Sequence, residues 1–123
     1  QIKQMENFNI RKITNLAKLT TILLEKHAIS LTILRVIDLE DINPLQGVYL
    51  RLIFEQLFTT RTAEQLVKMF KTIVEVEKYE TFRDNVLLFI KEVLINNPRQ
   101  SLNLNVKDTK KKYRSIKNLI LER

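Results

Sequence analysis

Asn43-Pro44-Leu45-Gln46-Gly47-Val48-Tyr49-Leu50-Arg51-Leu52-Ile53-Phe54-Glu55-Gln56-Leu57-Phe58 is the stretch that decides the fold. Asn43 is a good helix cap. Pro44 suits the first helical position, where a missing N–H costs nothing. Gln46 stands at the spacing that completes a capping box. Leu45, Val48, Tyr49, Leu52, Ile53 and Leu57 then recur at steps of three and four, the signature of a helix with one buried face.

The same grammar repeats on both sides. Downstream, Thr62 with Gln65 forms a second capping box ahead of Leu66, Met69, Phe70 and Ile73. Thr81, with Asp84 near the positive end of the dipole, predicts a further helix carrying Phe82, Val86, Phe89, Ile90 and Val93. Asn96-Asn97-Pro98 is expected to stop it, because proline can neither continue a helix nor tolerate helix before itself. Residues 99–108 read as a polar connector. Asp108 or Thr109 can cap a last helix, where Tyr113, Ile116, Leu119 and Ile120 make a narrow apolar stripe. Upstream, a helix is expected from about Phe8 to Lys26, with Ile13, Leu16, Ala17, Thr20, Leu23 and Leu24 on one face. Leu19 and Ile22 widen that face, so burial on more than one side is expected. Ser30 can cap a short helix over Leu31 to Ile37, and an acidic connector follows. Phe54, Phe58, Phe70, Phe82 and Phe89 lie at core spacing and read as packing residues.

Composition agrees. The chain has 123 residues, one Gly, two Pro, no Cys and one His, with 45% hydrophobic and 28% charged residues. So little Gly and Pro disfavours all-β folds, whose tight turns need them, and the glycine-rich loops that cradle phosphates. No Cys excludes disulfides and thiolate metal sites. The expected fold class is therefore all-α: antiparallel helical hairpins packed as a bundle or as a HEAT-like α-solenoid. No apolar run is long enough to span a bilayer; Val86 to Ile90 is typical. The chain opens on Gln1, close to helical pattern, which predicts a piece of a longer polypeptide.

The net charge of +7 is unevenly placed. Residues 1–98 carry 13 Lys/Arg against 12 Asp/Glu, and residues 99–123 carry 8 against 2. Lys107, Lys110, Lys111, Lys112, Arg114 and Lys117 make the densest basic cluster, with Lys110, Arg114 and Lys117 on one helical face. Such a face can neutralise several phosphates and release counterions, so these six are the expected RNA-binding residues; a solvated amphipathic helix is the plainer alternative. Asp38, Glu40 and Asp41 are the densest acidic cluster. Their spacing fits no calcium loop. Either they are solvated and favour the N-terminus of the following helix, or they dock a basic partner surface. His27 lacks a partner constellation and reads as a helix-end residue. No catalytic group, metal, cofactor or small-molecule substrate is expected, and so no enzyme.

Ile13-Thr14-Asn15-Leu16-Ala17-Lys18-Leu19 through Leu23-Leu24, followed by Ile29-Ser30-Leu31-Thr32-Ile33-Leu34-Arg35-Val36-Ile37-Asp38, resembles the C-terminal region of the nucleolar MIF4G-domain family. Members carry a MIF4G domain followed by an MA-three domain, both helical-repeat modules. On this resemblance, residues 1–59 are the second half of an MA-three-like domain and 60–97 a helical extension. Residues 98–108 are a linker, and 109–123 a basic amphipathic helix that the resemblance does not reach. Where MA-three domains close on a Leu-Asp-x-Pro-like acidic turn, this chain has Leu39-Glu40-Asp41-Ile42-Asn43-Pro44, one residue longer. The resemblance implies that Asp38, Glu40 and Asp41 face a DEAD-box RNA helicase of the initiation-factor type. It also implies a nucleolar scaffold in small-subunit ribosome biogenesis, in contact with pre-ribosomal proteins and rRNA. A stand-alone basic RNA-binding module without a helicase partner is the alternative.

Overall fold

The computed structural model describes residues 2–97 and 105–121. The chain runs through α1 (Ile2–Glu25), a 3-10 turn (Leu31–Val36), α2 (Pro44–Thr60), α3 (Ala63–Val74) and a short 3-10 turn (Glu77–Tyr79). It continues through α4 (Glu80–Ile90), which runs into a π turn (Lys91–Ile95), to α5 (Val106–Leu121). Every regular element among the described residues is helical, as the sequence predicts. The stop at Pro98 and the first part of the 98–108 connector lie outside the described residues.

The local signals act largely as read. Asn43 Oδ1 accepts the Gln46 N–H at 2.8 Å and Gln46 Oε1 accepts the Asn43 N–H at 3.3 Å, so the capping box is closed. Thr62 and Gln65 do the same for α3. Ser30 Oγ accepts the Thr32 N–H and caps the 3-10 turn. Two expected caps are displaced. Thr81 lies inside α4, which begins at Glu80 without a side-chain cap because the 3-10 turn feeds straight into it. At α5, Asn105 Oδ1 accepts the Asp108 N–H at 3.1 Å, so the helix starts at Val106, before Asp108 and Thr109.

A chain with a single glycine must end its helices by other means, since glycine is the usual residue in the left-handed position past a helix C-terminus. The sole glycine, Gly47, is inside α2. Three devices replace it. At the end of α1, His27 takes φ 59° itself, its N–H reaching the Leu24 carbonyl at 3.1 Å and Ala28 N–H reaching Leu23 at 2.9 Å. At the end of α3, the buried Arg83 donates from Nη1 to the Val74 carbonyl at 3.4 Å. At the end of α2, the buried Lys112 donates from Nζ to the Phe58 carbonyl at 2.7 Å. Both cations meet the negative end of a helix dipole.

The core is built around α2, where Leu50, Ile53, Phe54, Leu57 and Phe58 are all at most 1% exposed. The predicted face is one part of a wider buried surface: Ile53 and Leu57 are fully buried as expected, and Leu45 alone of the six is exposed. Leu50, Phe54 and Phe58 point to the main core, while Tyr49 and Leu52 are half-buried against α1. Phe54 meets Phe89 with ring centroids 6.2 Å apart, tying α4 to the centre. Leu66, Phe70 and Ile73 of α3, Ile90 and Leu94 at the end of α4, and Ile116 of α5 complete it. The last helix thus packs on the body, mainly against α3 and the π turn.

The first pair departs from the antiparallel expectation. Thr20 Oγ1 hydrogen-bonds Tyr49 Oη at 2.8 Å, and Glu25 Oε2 accepts from Thr60 Oγ1 at 2.7 Å and pairs with Arg61 Nε at 3.1 Å. The C-terminal ends of α1 and α2 therefore meet, and the two helices run in the same sense. The chain returns between them through the 3-10 turn and the acidic connector, not through a hairpin. Ala17, Thr20, Thr21 and Leu24 are buried against α2, but Leu16, Leu19 and Ile22 stand 46–53% exposed, so the expected second side of α1 is uncovered.

Candidate interaction surfaces

The basic arm is a fixed ridge. Ile116 is fully buried, and Tyr113, Leu119 and Ile120 pack half-buried against the core. This holds the opposite face of α5 toward solvent, as its amphipathic pattern requires. Lys107, Lys110, Lys111, Arg114 and Lys117 are exposed there. Lys112 is not. It is 8% exposed, and its ammonium is engaged by the Phe58 carbonyl and by Asp108 Oδ2 at 2.8 Å. Thr62, whose N–H could otherwise reach Phe58, gives that N–H to Gln65 Oε1. The structure brings five of the six expected basic residues to one exposed ridge and turns the sixth inward.

Two open grooves flank the ridge, and Arg114 and Asn118 border both. One, of about 660 Å³, runs along the Thr59–Ala63 corner between α2 and α3, with Lys111 and Ser115 on the α5 side and Arg61 on the other. The second, of about 420 Å³, lies between α5 and the π turn and is bordered by Lys91, Lys110 and Lys117. Burial pushes the Tyr113 phenol in this groove up from its ordinary 10.0. Lys91 and Arg61 carry no local sequence signal for this role. Only the docking of α5 on the end of α4 and on the α2–α3 corner brings them to it.

The acidic turn forms a second, separate surface. Asp38 Oδ1 accepts the Glu40 N–H at 3.0 Å and the Asp38 carbonyl accepts the Asp41 N–H at 3.1 Å, a compact Asx-type turn. Asp38, Glu40 and Asp41 are all exposed, with Glu40 Oε1 held by Asn85 Nδ2 of α4 at 3.3 Å. Beside them Arg35 stacks on the Tyr79 ring at 4.2 Å, and Val36 is 88% exposed. The turn precedes the N-terminus of α2, whereas α5 docks at its C-terminus. The 17 residues of α2 set these poles about 25 Å apart. Among the described residues no group of three His, Cys, Asp or Glu could hold a metal ion. No helix is long and apolar enough to cross a membrane, again among the described residues.

These features define a class: an all-α, scaffold-like module with a cationic ridge at one end of its central helix and an acidic turn at the other. Within that class, the chain shows distant, partial similarity to the human nucleolar MIF4G domain-containing protein 1, being 26% identical to it over 97 residues. The matched segment is 79% of this chain and only 11% of the human protein. No protein-family model matches the chain, and no solved structure matches it.

Proposed function

We propose that this chain is a non-catalytic helical scaffold of nucleolar small-subunit ribosome biogenesis. In this reading α5 holds rRNA through Lys107, Lys110, Lys111, Arg114 and Lys117. The turn of Asp38, Glu40 and Asp41 docks a DEAD-box RNA helicase of the initiation-factor type, and other faces meet pre-ribosomal proteins. The similarity to a nucleolar MIF4G-domain protein supports the setting.

The observation that carries RNA contact is the order of charges along α5. Its first turn holds Lys107 beside Asp108, whose carboxylate is taken by the inward Lys112; Lys110 and Lys111 follow at once, and its last turn holds no basic residue. A helix dipole favours Asp108 at that end but disfavours the three exposed lysines around it. A local preference broken on an exposed face is expected where a ligand supplies the missing counter-charge. The acidic turn is held in shape by the Asp38 side chain and carbonyl together, which supports a presented surface over a loose connector.

Truncation of the basic arm would uncover the core that Ile116 covers, so charge substitution is the cleaner test. Lys107, Lys110, Lys111 and Lys117 changed together to Gln should lower RNA affinity and flatten its salt dependence, by about 0.7 to 0.9 in slope for each phosphate no longer neutralised. Unchanged affinity and slope would end the RNA reading. Reversal of Asp38, Glu40 and Asp41 to Lys should reduce recovery of the helicase from nuclear extract. Undiminished recovery, with RNA binding still dependent on α5, would favour an RNA-binding module working without a helicase.

A further inference from the structure

The groove between α5 and the π turn has a composition that a solvated charge ridge does not need. Its rim carries Lys110, Arg114 and Lys117 from α5 and Lys91 from the far wall, all exposed and none in an ion pair among the described residues. Its floor is Tyr113 and Ile95, both half-buried. Lys91 comes from the nearly neutral body, so its position opposite α5 is independent of the charge run in the basic arm. It stands at the start of the π turn, where the Lys91 carbonyl accepts the Asn96 N–H at 2.9 Å; single π turns recur at binding sites.

Four cations around an aromatic-bearing floor are the chemistry of a single strand. Backbone phosphates take the rim, and an unstacked base covers the ring. A duplex keeps its bases stacked inside and would leave Tyr113 and Ile95 uncovered. An acidic peptide would satisfy the cations but offers no flat face to the floor.

We propose that this groove binds single-stranded RNA, with phosphates held by Lys91, Lys110, Arg114 and Lys117 and one base seated on Tyr113. This rests on the RNA reading of α5 and narrows it to a strand form and a base-binding residue. The test uses the full chain, a labelled oligouridylate of about ten nucleotides and an RNA duplex of equal length. Binding is followed by fluorescence anisotropy across salt concentration, with thermal unfolding run on each variant. Lys91→Gln should reduce the salt slope for the single strand by about 0.7. Tyr113→Leu should weaken the single strand about tenfold, because base–aromatic stacking is removed, while Tyr113→Phe stays within about twofold. The duplex should respond to neither Lys91→Gln nor Tyr113→Leu.

If both of those variants bind as the parent does while Lys107→Gln and Lys111→Gln weaken binding, the groove assignment is overturned and the RNA reading of α5 survives. If the parent chain binds neither probe, both fall. If polyglutamate displaces the strand with the same dependence on Tyr113, the groove is a peptide site and the proposal fails.

Discussion

Lys112 is where the structure and a plain reading of charge disagree most sharply, and Lys112→Met separates them. As one of three consecutive lysines it looks like a phosphate contact. In the structure it is 8% exposed and bonds the Phe58 carbonyl and Asp108. Methionine keeps the unbranched stem in place, so the change is confined to the ammonium. A hydrogen bond to a charged group contributes about 1.5–3 kcal/mol net. The ion pair with Asp108, whose side chain is 50% exposed, adds only about 0.3–0.5 kcal/mol on a helix surface. Relief from burying a charge offsets part of this. No backbone donor replaces it at Phe58, because Thr62 N–H is held by Gln65. The expected cost is about 2 kcal/mol, a fall in Tm of roughly 8 °C at about 4 °C per kcal/mol. Urea unfolding should show a lower midpoint at unchanged slope. RNA affinity of the folded variant should stay within about twofold of the parent, a difference of less than about 0.5 kcal/mol. A variant as stable as the parent but weakened toward RNA would refute the reasoning outright, since it would put the ammonium on the surface.

Four further sets of substitutions probe the same architecture by chemical denaturation. Thr109 is 1% exposed and its hydroxyl has no hydrogen-bond partner, so Thr109→Val should stabilise the fold by about 1 kcal/mol; a destabilised variant would mean the hydroxyl is satisfied. His27 holds a left-handed conformation that costs a side-chain-bearing residue about 1–2 kcal/mol, so His27→Gly should raise stability by about 1 kcal/mol. A methyl added at Gly47 meets Ile42 at an ordinary 3.6 Å, so Gly47→Ala should gain about 0.5–1 kcal/mol of helix propensity. Leu16→Gln with Leu19→Gln should change stability by less than about 0.5 kcal/mol each, because both stand about half exposed, whereas Leu24→Ala, at 1% exposure, should cost about 2–5 kcal/mol.

What was legible in the sequence is what short-range chemistry controls. Asn43 with Gln46 and Thr62 with Gln65 close their boxes because both partners of each bond lie within one turn. The all-α class follows from the same periodicity and from the scarcity of glycine. What was illegible depends on partners far along the chain. Nothing near Lys112 tells that the Phe58 carbonyl, 54 residues away, lacks a donor. Nothing near Lys91 tells that α5 will lie across the π turn. The buried surface of α2 is wider than its predicted face for a related reason. A central helix is apolar nearly all round, so periodicity alone cannot say which side meets the main core and which meets α1. The same holds for α1, whose apolar width predicted two covered sides and where Leu16, Leu19 and Ile22 are open.

The scarcity of glycine and the excess of cations are two sides of one structural arrangement. With one glycine and it in a helix, α2 and α3 have their end carbonyls held by Lys112 and Arg83 instead. Both cations used this way are buried, at 8% and 3% exposure. The basic count therefore mixes populations that composition cannot separate: among the described residues, cations turned inward as caps (Lys112 and Arg83), cations held in pairs such as Arg61 with Glu25, and exposed cations such as Lys91 and Lys110 that are in no ion pair. The last are the ones free to release counterions from RNA. Around α5 that population excludes Lys112 and includes Lys91, which moves the centre of the exposed charge from the middle of the lysine run toward the groove floored by Tyr113. The inward cap also fixes the outward face. Lys112 and Ile116 anchor one side of α5 to the core, so Lys110, Arg114 and Lys117 are presented on a rigid ridge rather than on a loose tail, and a strand bound there forfeits less freedom in ordering the protein.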